Sequence, residues 1–464
     1  MKISQLHKIY PVIFLAPYFL YEDWVLAAIL LIVGTVLVHV EKINQSLVNL
    51  EWREYVFFIY AFHMLFGERH FGYVGFEPLF ITEIVLAFLT VSYANDLIKI
   101  RRVLFVYYLL VAIGLGFTFI YFFQYGLDAL RDSFMLLYAF WVPIIYHIFR
   151  SEKQYDLFFS LLKLFIVLKA IAYCYEAVMI VLGYQAITFE GFRFGVGYVM
   201  PTIIVIALFL PFKRIGWKYK LLSLLMIPAV FTMFHRSIFL GILLAIIVIF
   251  IIGGVESKRN IIKYGVTSFL VLAGFLVYYN SIIEVDIFDV LEAKSSLDEG
   301  NINFRFLSWQ YVLDNFYDHY LLGYGVGRPI MYVYENMFYS TIDLSYFEIR
   351  DLGGNAQPHN SYLNILARFG VLVFPIFLYA IFQPIFKFGK YMNNKRINGI
   401  EPYSRFLLLT GFLMSMYILA FFNVVLEGPH HSFPFWLAIG MLLSYGRSGN
   451  FTPKIIRVKK AVSK

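Results

Sequence analysis

Three side chains in this 464-residue sequence have the types needed to hold a phosphate and move a proton. Arg236 lies in Phe234-His235-Arg236-Ser237, just where a long apolar run begins. Arg305 lies in Asn303-Phe304-Arg305-Phe306-Leu307-Ser308-Trp309, at the start of a predicted amphipathic helix. His359 lies in Gln357-Pro358-His359-Asn360-Ser361-Tyr362-Leu363, ahead of another apolar run. All three fall at or near predicted helix N-termini, where free backbone N–H groups and the helix dipole favour anions. Arginine adds a planar fork of donors that meets phosphate two bonds at a time. The same dipole is expected to keep the His359 imidazole neutral, the form that takes a proton from a hydroxyl. Each residue also has a plainer reading: Arg236 as an anchor to lipid headgroups, Arg305 as a solvating charge, His359 as a structural neighbour of a helix cap.

Other polar residues sit deeper. Arg368 is nine residues beyond His359, about 13 Å along a helix at 1.5 Å per residue. A charge there must face protein or a watery cavity; it either reaches towards a bound anion or pairs with a buried carboxylate. Lys163, Lys169 and Glu176 share one apolar run, with Lys169 and Glu176 on one helical face, which suits structural pairing or a polar pathway. Glu427-Gly428-Pro429-His430-His431 offers a carboxylate and two imidazoles. Adjacent histidines on a turn rarely converge on one ion, so no zinc site is expected there.

The elements that must position these groups read as membrane spans. The chain is 61% hydrophobic, 20% aromatic and only 15% charged, against about 25% charged for a soluble domain. That pattern predicts an all-α polytopic membrane protein. Apolar runs at 9–21, 24–40, 54–66, 78–96, 103–123, 134–149, 157–182, 194–212, 219–234, 237–254, 261–279, 361–386, 404–424 and 433–446 give about 12–14 spans. No cleavable signal sequence is expected at the N-terminus. Cys174, the one cysteine, lies inside a span, so no disulfide staples the loops. The chain divides into a bundle at 1–279, a polar loop at 280–360, and terminal spans with a tail at 361–464. The loop holds twelve Asp or Glu against four Lys or Arg, a balance of −8 in a chain of +8, leaving +16 on the rest. Basic stretches at Lys99 to Arg102, Arg150 to Lys153, Lys213 to Lys220, Lys258-Arg259, Lys387 to Arg405 and Lys454 to Lys464 fall on one side. The positive-inside rule makes that side cytoplasmic, with both termini, and puts the 280–360 loop outside. Within the loop, Trp309, Val312, Leu313 and Phe316 predict a helix over about 303–318, ended by a flexible turn at Gly323, Gly325 and Gly327. No basic patch has the geometry of a nucleic-acid reader, so nucleic acid is not an expected partner.

Three blocks in this order resemble the O-antigen ligase/polymerase family of bacterial envelope proteins. The first is the span-opening Phe234-His235-Arg236-Ser237-Ile238-Phe239-Leu240-Gly241; the family usually has a small residue where His235 stands and often glycine where Ser237 stands. The second is Arg305-Phe306-Leu307-Ser308-Trp309 followed by Leu321-Leu322-Gly323-Tyr324-Gly325-Val326-Gly327. The third is His359-Asn360-Ser361-Tyr362-Leu363-Asn364 with Gly370 beyond. The resemblance implies a GT-C-like membrane glycosyltransferase. Its donor would be an oligosaccharide on undecaprenyl pyrophosphate in the bacterial inner membrane, its acceptor a sugar hydroxyl on the periplasmic side. No metal or other cofactor would be needed. Carried onto this chain, Arg236 and Arg305 would bind the pyrophosphate, and His359 would activate the acceptor hydroxyl with inversion at the sugar carbon. Arg368, Asn360, Trp309, Gly325 and Gly327 would complete the substrate site. Loop aromatics Tyr311, Phe316, Tyr317, Tyr320, Tyr332 and Tyr334 would stack on sugars or pack a core.

The leading expectation is a polymerase of O-antigen, capsule or exopolysaccharide repeat units. The alternative is a ligase that moves glycan onto lipid A–core or protein. A chain-length regulator is a further candidate partner. Two other readings compete. Glu22-Asp23 matches the paired acids of metal-dependent GT-C enzymes, although Trp24 beside it suits an interfacial anchor. A lipid-glycan transporter would use Lys163, Lys169, Glu176 and Arg368 as a pathway, but the 280–360 loop is more than a transporter needs and no inverted repeat is visible.

Overall fold

The computed structural model describes residues 11–20, 23–77, 79–181, 199–232, 235–282, 300–328, 330–332, 355–356, 358–393 and 400–445. Glu22, Phe234, Tyr334 and the tail Lys454 to Lys464 lie outside them. The described chain is almost wholly helical, with two short antiparallel pairs, Gly75–Phe76 with Leu79–Phe80 and Met331–Tyr332 with Asn355–Ala356.

Six helices are long and apolar enough to cross a membrane, or seven if a bent pair counts as one span, and three shorter apolar helices accompany them among the described residues. The protein is therefore an all-α, multi-pass membrane protein. Helix Val255–Ile282 buries almost none of its apolar surface against protein, so that surface requires lipid. The run at 78–96 is not a straight span. Helices Ile81–Ser92 and Ala94–Ile100 meet at 78°. The run at 134–149 begins earlier, in a helical stretch that opens at Leu127.

Seven helices position the site: α1 (Phe105–Tyr125), α2 (Leu127–Leu137), α3 (Arg236–Ile252), α4 (Gly300–Phe316), α5 (Ser361–Asn393), α6 (Ile400–Phe422) and α7 (Pro429–Tyr445). Helices α3 and α6 lie close because Gly241 leaves room for Ser415; a Cβ at 241 would fall 2.9 Å from the Ser415 hydroxyl. Small residues at such crossings let backbones approach where no water drives association. The core is aromatic: Tyr60 stacks on Trp141 at 5.1 Å, and Phe433 of α7 meets both rings edge-on.

Deep charges are paired inside the protein. Lys163 binds Glu41 at 2.6 Å, and Lys169 donates to the Phe66 carbonyl at 2.7 Å. Asp23 caps helix Trp24–Val40 by accepting from the Leu26 N–H, and its other oxygen accepts from Tyr175.

Candidate functional site

Helix α5 carries the third motif and is interrupted. At Gly370 the backbone turns to φ 73°, ψ 179°, which breaks the helical ladder. The freed groups are not left bare. The carbonyls of Ala367 and Arg368 accept from the N–H groups of Tyr324 and Gly325, at 2.7 and 3.0 Å. In return Val371 and Leu372 donate to the carbonyls of Tyr320 and Leu321. Segment 320–325 thus plugs the break strand-fashion and satisfies backbone groups that would be costly to bury unpaired. This explains the glycine series. Gly323, Gly325 and Gly327 all have φ between 72° and 84°, and a Cβ at Gly325 would sit 2.3 Å from the Tyr121 ring. The expected flexible turn is instead a locked left-handed run, held between α1, α2 and α5.

Arg368 anchors the plug. Its Nη1 pairs with Asp132 of α2 at 2.6 Å, and both side chains are fully buried. The same carboxylate oxygen accepts from the Gly327 N–H at 2.7 Å, and Arg368 also donates to the Arg328 carbonyl. Of the two roles open to Arg368 from sequence, pairing with a buried carboxylate is the one observed. Asp132 was not singled out in the sequence. The available signal was the buried arginine itself, which needs a carboxylate opposite it.

His359 precedes α5 and is held from both sides. Asn360 is the N-cap, its Oδ1 accepting from the Leu363 N–H at 3.0 Å. On the other side, Trp309 of α4 donates its indole N–H to the Pro358 carbonyl at 2.6 Å, while its ring packs on Phe421 and Phe422. Between these clamps His359 takes φ 46°. That left-handed conformation costs a non-glycine residue roughly 1–2 kcal/mol and persists only where neighbours impose it. Arg305 lies within electrostatic reach. Burial first, and the Arg305 charge second, push the His359 imidazole down to about 4. Desolvation and the guanidinium both disfavour the imidazolium, the same direction as the neutral imidazole expected from sequence.

A short connection between α6 and α7 joins the third motif to the first. Ser361 donates to Glu427 Oε2 at 2.6 Å and Asn364 donates to Glu427 Oε1 at 2.8 Å. Val425 N–H donates to the Ser361 hydroxyl, and the Asn423 carbonyl lies 3.2 Å from it. Asn423 then donates its side-chain amide to Ser237, the residue after Arg236, at 2.7 Å. Arg236 itself opens α3 and is exposed. Glu427 is half-buried, and desolvation raises its pKa against the lowering effect of its hydrogen-bond donors. The three motif segments are therefore tied together: the Arg305 helix to the His359 turn by the Trp309 indole on the Pro358 carbonyl, and the His359 turn to the Arg236 turn through Asn423, in the same connection as Glu427. Asn423 carried no signal in the sequence. Asn360, Trp309, Gly325 and Gly327 each have a structural partner that accounts for their residue type without a ligand.

Residues 221–378 match the family model described as O-antigen ligase. The segment contains all three motifs. Over that segment, about a third of the chain, the sequence is similar to the O-antigen ligase family. That family is glycan-processing and glycosyltransferase-like, so the O-antigen ligase segment supports an enzyme. No curated protein matches the chain.

A cavity of about 530 Å³ adjoins the connection between α6 and α7. Among the described residues, Glu77, Glu83, Asp132 and Glu427 contribute its carboxylates and Arg131 its one lining cation. Tyr73, Phe80, Phe134, Tyr138 and His430 supply rings. Arg236, Arg305 and His359 are not among its walls.

Proposed function

We propose that this protein is a metal-independent, inverting glycosyltransferase of the bacterial inner membrane that extends a cell-surface polysaccharide. The donor is a glycan on undecaprenyl pyrophosphate, presented from the outer leaflet, and the acceptor is a sugar hydroxyl. Both chain termini are cytoplasmic and the 280–360 loop is periplasmic. The observation that supports this reading is the joining of the Arg236, Arg305 and His359 segments around one connection, through Asn423, Ser361 and Trp309.

The chemistry follows from charge. The acceptor oxygen attacks the anomeric carbon as the carbon–oxygen bond to pyrophosphate breaks. The pyrophosphate leaves with the bonding electrons and gains negative charge. Fixed guanidinium groups at Arg236 and Arg305 stabilise that gain more than they stabilise the bound ester, which lowers the barrier. The acceptor proton passes to neutral His359. Attack from the face opposite the leaving group inverts the anomeric centre.

A ligase that delivers glycan to lipid A–core or protein is the second reading, favoured by the description of the matching family model. One assay separates them. Purified protein given only lipid-linked repeat unit makes a ladder of products if it is a polymerase, and turnover continues in EDTA. A ligase yields nothing until a distinct acceptor is added. Loss of turnover in EDTA that a divalent ion restores would reject the metal-free mechanism.

A further inference from the structure

The cavity beside Glu427 has the opposite electrostatic character to the arginine-bearing segments. Of its four carboxylates, Asp132 is balanced by Arg368 behind the wall and Glu77 by Arg131 at the exposed rim, which leaves Glu83 and Glu427 to make the lining net acidic. Like charges in a partly desolvated site repel strongly, so a pyrophosphate is disfavoured there. The walls suit a polyhydroxylated ligand. Carboxylate oxygens accept from hydroxyl groups. The paired rings Tyr73 with Phe80, and Phe134 with Tyr138, offer flat apolar faces to sugar C–H groups. One further polar atom on the wall is left over. The Nδ1 atom of His430 is buried on this wall and has no hydrogen-bond partner among the described residues. Buried polar atoms of that kind call for a ligand or water. The volume falls within the roughly 300–1,000 Å³ of small-ligand sites.

Position gives the role. Glu427 forms a wall of the cavity and also binds Ser361 and Asn364, in the turn that follows His359. We propose that this cavity holds the acceptor glycan, with the sugar residues next to the attacking hydroxyl bound by Tyr73, Glu77, Glu427 and His430, while the donor pyrophosphate stays with the arginines. The assignment rests on the glycan-transfer reading above and adds a division of the site into an acidic acceptor half and a basic donor half.

The test uses full-length protein in nanodiscs of uncharged lipid and, as probe, the lipid-free repeat-unit oligosaccharide released from the producing cell. Saturation-transfer NMR should show the oligosaccharide binding to wild type. Tyr73→Ala and Glu77→Gln, both near the rim, should weaken binding about five- to tenfold. Gly428→Leu should block it, because even a Cβ at 428 meets the Tyr73 hydroxyl at 3.0 Å and His430 Nδ1 at 3.2 Å. Inorganic pyrophosphate should not displace the oligosaccharide. In the transfer assay the rim variants should raise the acceptor KM by the same factor and leave the donor KM unchanged. Undiminished binding in all three variants, or displacement by pyrophosphate, overturns the proposal, as does a rise confined to the donor KM. If wild type binds oligosaccharide at the cavity but transfers nothing, the catalytic reading fails and the glycan site stands.

Discussion

At the residue scale, the proposed mechanism depends on one imidazole kept neutral beside positive charge. Burial and Arg305 both disfavour the imidazolium, so the proton leaves His359 at lower pH than usual. The basic form is then present above about 4 and is lost as pH falls through that value. The pH profile of kcat/KM should carry its acid limb near 4 rather than near the ordinary 6.5. In Arg305→Gln the limb, measured on residual activity, should move upwards. A wild-type limb at the ordinary value, unmoved in Arg305→Gln, would show that burial and Arg305 do not depress this imidazole. Substitution gives a second expectation. Arg236→Ala, Arg305→Ala and His359→Ala should each lower turnover by about 100-fold or more, the usual scale for losing a charge-stabilising donor or a general base. Insertion into the membrane should be unaffected, since Arg236 is exposed and neither Arg305 nor His359 is fully buried. Normal product from all three variants would remove the site.

At the element scale, the broken helix α5 is the device that places His359. Its gap is filled by residues 320–325, and the filler is fastened by the Arg368–Asp132 pair. Removing one partner leaves the other charge buried and uncompensated, at a cost of roughly 3–5 kcal/mol. Asp132→Ala should therefore sharply lower the melting temperature in detergent, with Arg368→Met recovering part of the loss in the double variant. An additive double variant would show that the pair is not what holds the plug. Loop helix α4 was legible in the sequence because Trp309, Val312 and Phe316 repeat at helical spacing; the structure places it at Gly300–Phe316. The break in α5 was not legible. Gly370 lies within a continuous apolar run, and only the docking of the Gly323 to Gly327 segment shows that the ladder opens there.

At the scale of the whole molecule, charge asymmetry proposes an orientation that labelling can check. Cys174 is the only cysteine, so a Cys174→Ser background has none. In that background, cysteine placed at exposed Asp314 in α4 should react with an impermeant maleimide from the periplasmic side. Cysteine at exposed Arg101, in a basic stretch, should react only after the inner membrane is opened. The reverse pattern would invert the topology and put the arginines on the wrong side for an outer-leaflet donor. The helical bundle also distributes its polar residues so that few are left to lipid. Lys163, Lys169 and Arg368 each find an acceptor on another helix or turn, which argues against a continuous charged pathway of the transporter kind.

The sequence by itself determined the helical membrane class and proposed the three motif residues. Those follow from local properties, the length and apolarity of runs and the chemistry of single side chains, which survive without a fold. It also implied that Arg368 needs a partner, because a buried charge cannot stand alone. It could not name Asp132, 236 residues away, or make Asn423 and Glu427 the link between the first and third motifs. Nor could it show an acidic cavity assembled from three separate stretches of chain. Only the tertiary structure decided these, because hydrogen bonds and cavities between distant segments depend on how helices pack, and no spacing along one segment encodes that.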